Sequence, residues 1–258
     1  MTALGYQVGL IARRSLIRTA RQPGTWIPPL TFPLMLMAVN SNGLRAATHL
    51  PGFPTKSFLA FFIPFSFLQG ALFASGIAGT DLARDVDTGF LNRLALTPVR
   101  GAALLIGQIG GAVGLGSFQA LVYLTIALLA GVHIAAGAAG ALLILLLAVL
   151  VATGFATLGL FIALKTGSGE GVQSTFPLLF FLLLISSMNL PRNLIAVGWF
   201  RALATLNPVS YMIEAIRSLV LVGWDAQALA LGFGFTLALI TVSLLLAARQ
   251  LRIRMART

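Results

Sequence analysis

The sequence predicts an all-α membrane protein with six transmembrane helices, and three observations carry that prediction. Hydrophobic residues make up 58% of the 258 residues and charged residues only 9%, whereas soluble domains carry about 25% charged residues. The mean hydropathy is +0.97, so too few charges exist to cover a water-exposed surface. The apolar residues also fall into blocks near the ~20 residues that cross a hydrocarbon core as a helix. Finally, the basic residues lie between those blocks, where topology signals and lipid headgroup contacts sit. Backbone polar groups in lipid must be satisfied within the segment, so the blocks are helices rather than isolated strands.

Residues 1–22 read as an amphipathic helix lying on the membrane surface. Leu4, Val8, Ile11, Leu16 and Ile17 alternate with Arg13, Arg14, Arg18 and Arg21 at helical spacing. The basic residues follow a short apolar piece with no small-residue cleavage site, so this is not read as a cleaved signal peptide. The spans follow at 26–44, 57–79, 102–131, 138–164, 173–190 and 227–247. The first holds three prolines and is the poorest. Six spans put both termini on one side. With that side in the cytoplasm, only Arg45, Lys56, Arg192, Arg201 and Arg217 of the 17 basic residues lie outside, which is the orientation the positive-inside rule favours.

Two connecting segments stand out. Residues 81–98 gather three of the six acidic residues, Asp81, Asp85 and Asp87, within seven positions. Val86, Phe90 and Leu94 recur at i, i+4 and i+8, which predicts a short helix parallel to the membrane, ended by Pro98. Residues 191–225 are too polar for a span and too apolar for an ordinary loop. There Asn207-Pro208 reads as a helix cap and first helical residue, and Glu214 and Arg217, three apart, read as a pair on one helix face. The segment is predicted to form short re-entrant helices in the outer half of the membrane.

The chemistry that is missing narrows the function. A net charge of +11 in a soluble chain would point to nucleic acid; spread between apolar blocks, it does not. There is no cysteine, which excludes disulfides and thiolate chemistry. The phosphate-binding pattern G-x-x-x-x-G-K-[ST] is missing, since neither Lys56 nor Lys165 follows a glycine. His49 and His133 are far apart, and no catalytic constellation or metal-ligand spacing is present. Asp81 and Asp85, four apart, read as solvated capping groups rather than a cation site. The spans hold no ionisable residue, which points away from a proton relay. In the third span, "GQIGGAVGLGSFQ" carries small-xxx-small spacings such as Gly107 to Gly111, a helix-packing face.

The chain resembles the type-2 ABC exporter permeases, the branch that includes daunorubicin- and doxorubicin-resistance permeases. The resemblance rests on the six-span plan, on "DLARDVDTGFLNRLALTPVRGAALLIGQ" (81–108) and on "NPVSYMIEAIR" (207–217). It implies that 81–98 is a coupling helix docking on a separate ATP-hydrolysing subunit. Asp85, Asp87, Arg93 and Arg100 would meet the partner, while Phe90 and Leu94 hold the helix to the bundle. The alternative for these charges is to keep the loop in water and fix topology. The resemblance further implies two permease subunits, identical or homologous, and two ATPase subunits that carry the ATP and Mg, leaving this chain without a cofactor. The second and fifth spans would line the path of a hydrophobic or amphipathic cargo (a drug, antibiotic or lipid) through Phe62, Phe65, Ser66, Gln69, Phe180, Phe181, Ser187 and Asn189. Each Phe equally suits packing on lipid or a neighbouring helix. The Glu214–Arg217 pair would be a latch in the re-entrant region. The expected location is a bacterial inner membrane. A polysaccharide-exporting permease shares the six-span plan, and a lipid-modifying enzyme or a membrane scaffold are the readings from other classes.

Overall fold

The computed structural model describes residues 3–89 and 101–255. Among them are ten α-helices and no strand. In chain order these are α1 (Ala3–Ala20), α2 (Pro23–Gly43), α3 (Phe58–Asp87), α4 (Gly101–Gln108) and α5 (Gly110–Leu129), followed by α6 (Gly137–Thr166), α7 (Gly169–Leu184), α8 (Gly198–Leu206), α9 (Pro208–Leu221) and α10 (Ala226–Met255). Four stretches are long and apolar enough to cross a membrane: Phe58–Asp87, Ala103–Leu129, Gly137–Thr166 and Ala226–Arg254.

The predicted first and fifth spans differ from these four. α2 has the length, at 21 residues, but prolines and polar residues dilute its apolar content. α7 has 16 residues, about 24 Å at 1.5 Å per residue, which is short of a ~30 Å hydrocarbon core. It ends at Leu184 rather than near 190, because the serines that follow bond locally; Ser186 Oγ donates to the Leu183 carbonyl at 2.6 Å.

The core forms around α3, which lies against α2, α5, α6, α7 and α9. Its aromatic residues Phe58, Phe61, Phe62 and Phe65 are almost wholly buried. The tightest approach is to α6, where a Cβ on Gly159 would stand 2.0 Å from the Ser75 carbonyl oxygen. Glycine there lets two backbones touch, the packing mode of helices that gain nothing by hiding apolar surface from lipid. α2 stays helical through Pro28, Pro29 and Pro33. Pro33 has no N–H to donate to the Pro29 carbonyl, and Tyr123 Oη of α5 supplies that bond at 2.8 Å.

α3 continues past the predicted end of its span. The residues Asp81 to Asp87, expected to open a separate surface helix, are the last two turns of α3. The helix stops where Thr88 N–H bonds the Arg84 carbonyl at 3.0 Å and Gly89 takes a left-handed φ of +66°, a conformation that favours glycine. The remainder of the predicted coupling helix lies outside the described residues.

Candidate functional site

The charged side chains of this apolar chain collect at two ends of the bundle. At one end, Asp81 and Asp85 sit one turn apart on α3, and Arg14 and Arg18 sit one turn apart on α1. The matched spacing lets the two helices meet charge to charge. Arg14 grips Asp85 with both terminal nitrogens, Nη1 to Oδ2 at 3.0 Å and Nη2 to Oδ1 at 2.9 Å. Arg18 Nη2 reaches Asp85 Oδ1 at 3.1 Å and its Nη1 stands 3.5 Å from Asp81 Oδ1. Gln108 Nε2, from the end of α4, donates to Asp85 Oδ2 at 2.5 Å. A carboxylate only 1% exposed is thus held by two guanidiniums and an amide, the condition under which a buried charge persists.

α1 is seated by glycine as well as by charge. At the break between α4 and α5, Ser15 Oγ donates to the Gln108 carbonyl (3.2 Å) and accepts from Gly111 N–H (3.0 Å). A Cβ on Gly107 would come within 2.5 Å of Ile11 Cβ, and one on Gly111 within 2.5 Å of Ser15 Oγ. The small-residue stripe read as a helix-packing face therefore receives the N-terminal helix at Gly107, Gly110, Gly111 and Gly114, while Gly116 meets Ala152 of α6. The opposite face of α1, with Tyr6, Leu10 and Ile17, is exposed.

This geometry redistributes the predicted coupling residues. Asp85 points into the protein rather than toward a partner, because the extension of α3 turns it against α1. Asp87 is exposed. Phe90, Arg93, Leu94 and Arg100 lie outside the described residues. The one sequence signal for the Asp85 cluster was the shared i, i+4 spacing of Arg14/Arg18 and Asp81/Asp85.

The predicted cargo-path residues do not form one surface within this chain. Phe62, Phe65, Ser66, Gln69 and Ser187 are all buried, since α3 is covered on every side by other helices. Phe181 is exposed. Phe180 and Asn189 are half-buried, and the Phe180 ring stacks with Phe176 at 6.3 Å between centroids. Ser66 Oγ, both polar atoms of Gln69, Ser187 Oγ and Asn189 Oδ1 are buried without a hydrogen-bond partner.

At the opposite end, Asn207 caps α9, its Oδ1 accepting from Val209 N–H at 3.0 Å, and its Nδ2 donates to the Leu182 carbonyl at 2.5 Å. Glu214 does not pair with Arg217. Its carboxylate takes Arg192 Nη2 at 2.5 Å, and the Arg192 guanidinium also lies over the Tyr211 ring at 4.5 Å. Arg217 turns inward instead, because the first turn of α3 offers it carbonyls and a ring. Nε donates to the Phe61 carbonyl at 3.1 Å, Nη2 to the Met188 carbonyl at 3.2 Å, and the guanidinium lies 3.6 Å from the Phe61 ring centroid. These groups border a cleft of about 540 Å³.

A bundle of apolar helices, four of them long enough to cross a membrane among the described residues, carries a charged clamp at one end and short helices at the other. The family model for the ABC-2 type transporter matches residues 6–221, and the chain belongs to that family. It is accordingly the membrane permease component of an ABC transporter, a transport subunit rather than an enzyme, in a family that works with an ABC ATPase. No curated protein matches the chain.

Proposed function

We propose that this permease is the membrane half of an exporter that moves a hydrophobic or amphipathic molecule, a drug, antibiotic or lipid, out of the cytoplasm or the inner leaflet. In this reading α2 and α7 serve as the first and fifth of six spans, both termini are cytoplasmic, and the membrane is a bacterial inner membrane. Two copies of a separate ATPase bind and hydrolyse ATP with Mg, and a second permease subunit, identical or homologous, completes the path. The observation that carries the proposal is the Asp85 clamp. It ties the end of α3 to α1 and, through Gln108 at the far end of α4, to the helix that follows residues 88–100, so a push on that segment is delivered to the whole bundle.

Asp87, Phe90, Arg93, Leu94 and Arg100 then form the docking segment, and Asp85 becomes its anchor. Cargo travels along the α7 face that carries Phe180 and Phe181. Ser66, Gln69, Ser187 and Asn189, buried with unpaired polar groups here, meet cargo when the helices part. A buried polar group without a partner costs about 1–3 kcal/mol, which a second conformational state can recover.

The test is to co-express the chain with an ABC ATPase encoded beside it, assemble the pair in nanodiscs, and measure complex formation and ATP hydrolysis. Asp87→Arg combined with Arg93→Glu is expected to dissolve the complex while the permease still inserts and folds. An undiminished complex would move docking to residues 165–172 or to α1.

A further inference from the structure

The outer cleft has the makings of a binding site. It is lined by Phe61, Arg192, Glu214, Arg217, Leu221 and Asp225, among others. Its charges are not equivalent. Glu214 is neutralised by Arg192 at 2.5 Å. Asp225 Oδ1 accepts from the first amides of α10, Gln227 N–H and Ala228 N–H, each at 3.0 Å, where the helix terminus already compensates a negative charge. Arg217 is different. It is 7% exposed, and no carboxylate lies within ion-pair distance of it among the described residues. Its Nε and Nη2 are spent on carbonyls, which leaves Nη1 for the cleft. A buried cation lacking a counter-ion is costly unless one arrives, and guanidinium suits phosphate and carboxylate oxygens.

The depth of the cleft points to an amphipath. Val222, which lines it, and Trp224, next in sequence to the lining residue Asp225, are 74% and 61% exposed. An exposed Trp at the end of an apolar helix marks the headgroup level of a bilayer. The apolar lining from Leu221 and Val222 provides a surface for the glycerol and first methylenes of a chain.

We propose that this cleft binds the anionic headgroup of an amphipathic molecule, a phosphate diester or carboxylate, on Arg217 at the outer membrane surface. The site would be a release station or a resident-lipid site for the exporter. The proposal relies on the export reading only for which face of the membrane is outer.

The test uses the full chain alone in nanodiscs of neutral lipid, with Trp fluorescence as the readout. The probes are dihexanoyl phosphatidylglycerol, the uncharged dihexanoyl glycerol, and inorganic phosphate. Phosphatidylglycerol is expected to bind at least about ten-fold more tightly than the uncharged lipid, the worth of one charged hydrogen bond. Arg217→Gln is expected to erase the difference. Because Arg217 also ties α9 to α3, Ala228→Glu provides an independent variant, placing a carboxylate in the cleft without touching those bonds, and is expected to do the same. Binding of inorganic phosphate as tight as that of the lipid assigns the site to a free anion; lipid binding without phosphate binding assigns it to a headgroup. Equal affinity for charged and uncharged lipid, or no response to Ala228→Glu, overturns the proposal. The absence of native cysteine lets Asn193→Cys report the side of the membrane by labelling with an impermeant maleimide. No ATPase is present in the binding assay, so its failure leaves the transport reading standing.

Discussion

The two ends of this bundle use the same side chain, arginine, in opposite ways. At the α1 end Arg14 and Arg18 close on Asp85, and the Gln108 amide fills the remaining acceptor. At the α9 end Arg217 is held by two carbonyls and a ring, and no carboxylate among the described residues lies within ion-pair distance of its charge. A closed cluster fixes helices relative to one another. An open one holds a side chain in place while keeping its charge available. The same residue thus does structural work or binding work according to whether a carboxylate completes its shell.

The comparison can be broken most severely at Asp85. Asp85→Ala removes the buried carboxylate on which both guanidiniums close; because Arg14 and Arg18 are 39% and 21% exposed and Arg18 keeps Asp81 at 3.5 Å, the loss is expected toward the lower end of the about 3–5 kcal/mol of a broken buried pair. A large fall in thermal midpoint of the purified protein is expected. Replacing Arg14, Arg18 and Asp85 together by apolar residues is expected to recover part of that loss, because of the charges in the cluster only Asp81, which faces Arg18 at 3.5 Å, then loses a partner. If the triple variant is as unstable as Asp85→Ala, the cluster is not the closed unit described.

A smaller effect is expected from Ser15→Ala, which removes the bridge between the Gln108 carbonyl and Gly111 N–H. Leaving both unsatisfied costs about 1–3 kcal/mol, and α1 is expected to become accessible to protease near Arg21. Midway between the ends, Gln69→Leu has the opposite sign. Its amide has no partner on either atom, so an apolar side chain of similar size is expected to stabilise by about 1 kcal/mol while lowering cargo-stimulated ATP hydrolysis. A destabilised Gln69→Leu would mean that the amide is satisfied after all.

The smallest change is expected from Glu214→Ala. Its partner Arg192 is about a quarter exposed, and such pairs contribute at most about 1 kcal/mol. Stability is expected to shift little, and lipid binding in the outer cleft is expected to tighten, since a negative charge leaves the neighbourhood of Arg217. Weaker binding would contradict the assignment of Arg217 as the recognition cation.

Much of this architecture is determined by the sequence alone, and all of that part is local. The apolar blocks place the helices, because hydrocarbon thickness sets the length of a span. Asn207-Pro208 places the start of α9, because a cap and a residue lacking an N–H suit one helical turn. The crowding of acidic residues at 81–87 marks the end of α3. The tertiary structure alone decided which faces meet. Asp85 finds Arg14 from 71 residues away, Gly107, Gly110, Gly111 and Gly114 receive α1 while Gly116 meets Ala152 of α6, Arg217 turns from Glu214 to the Phe61 carbonyl, and Phe62 and Phe65 are interior. In a chain whose lipid-facing and core-facing surfaces are equally apolar, hydropathy does not tell one side of a helix from the other. Only the neighbouring helices, through glycine contacts and paired charges, settle that choice.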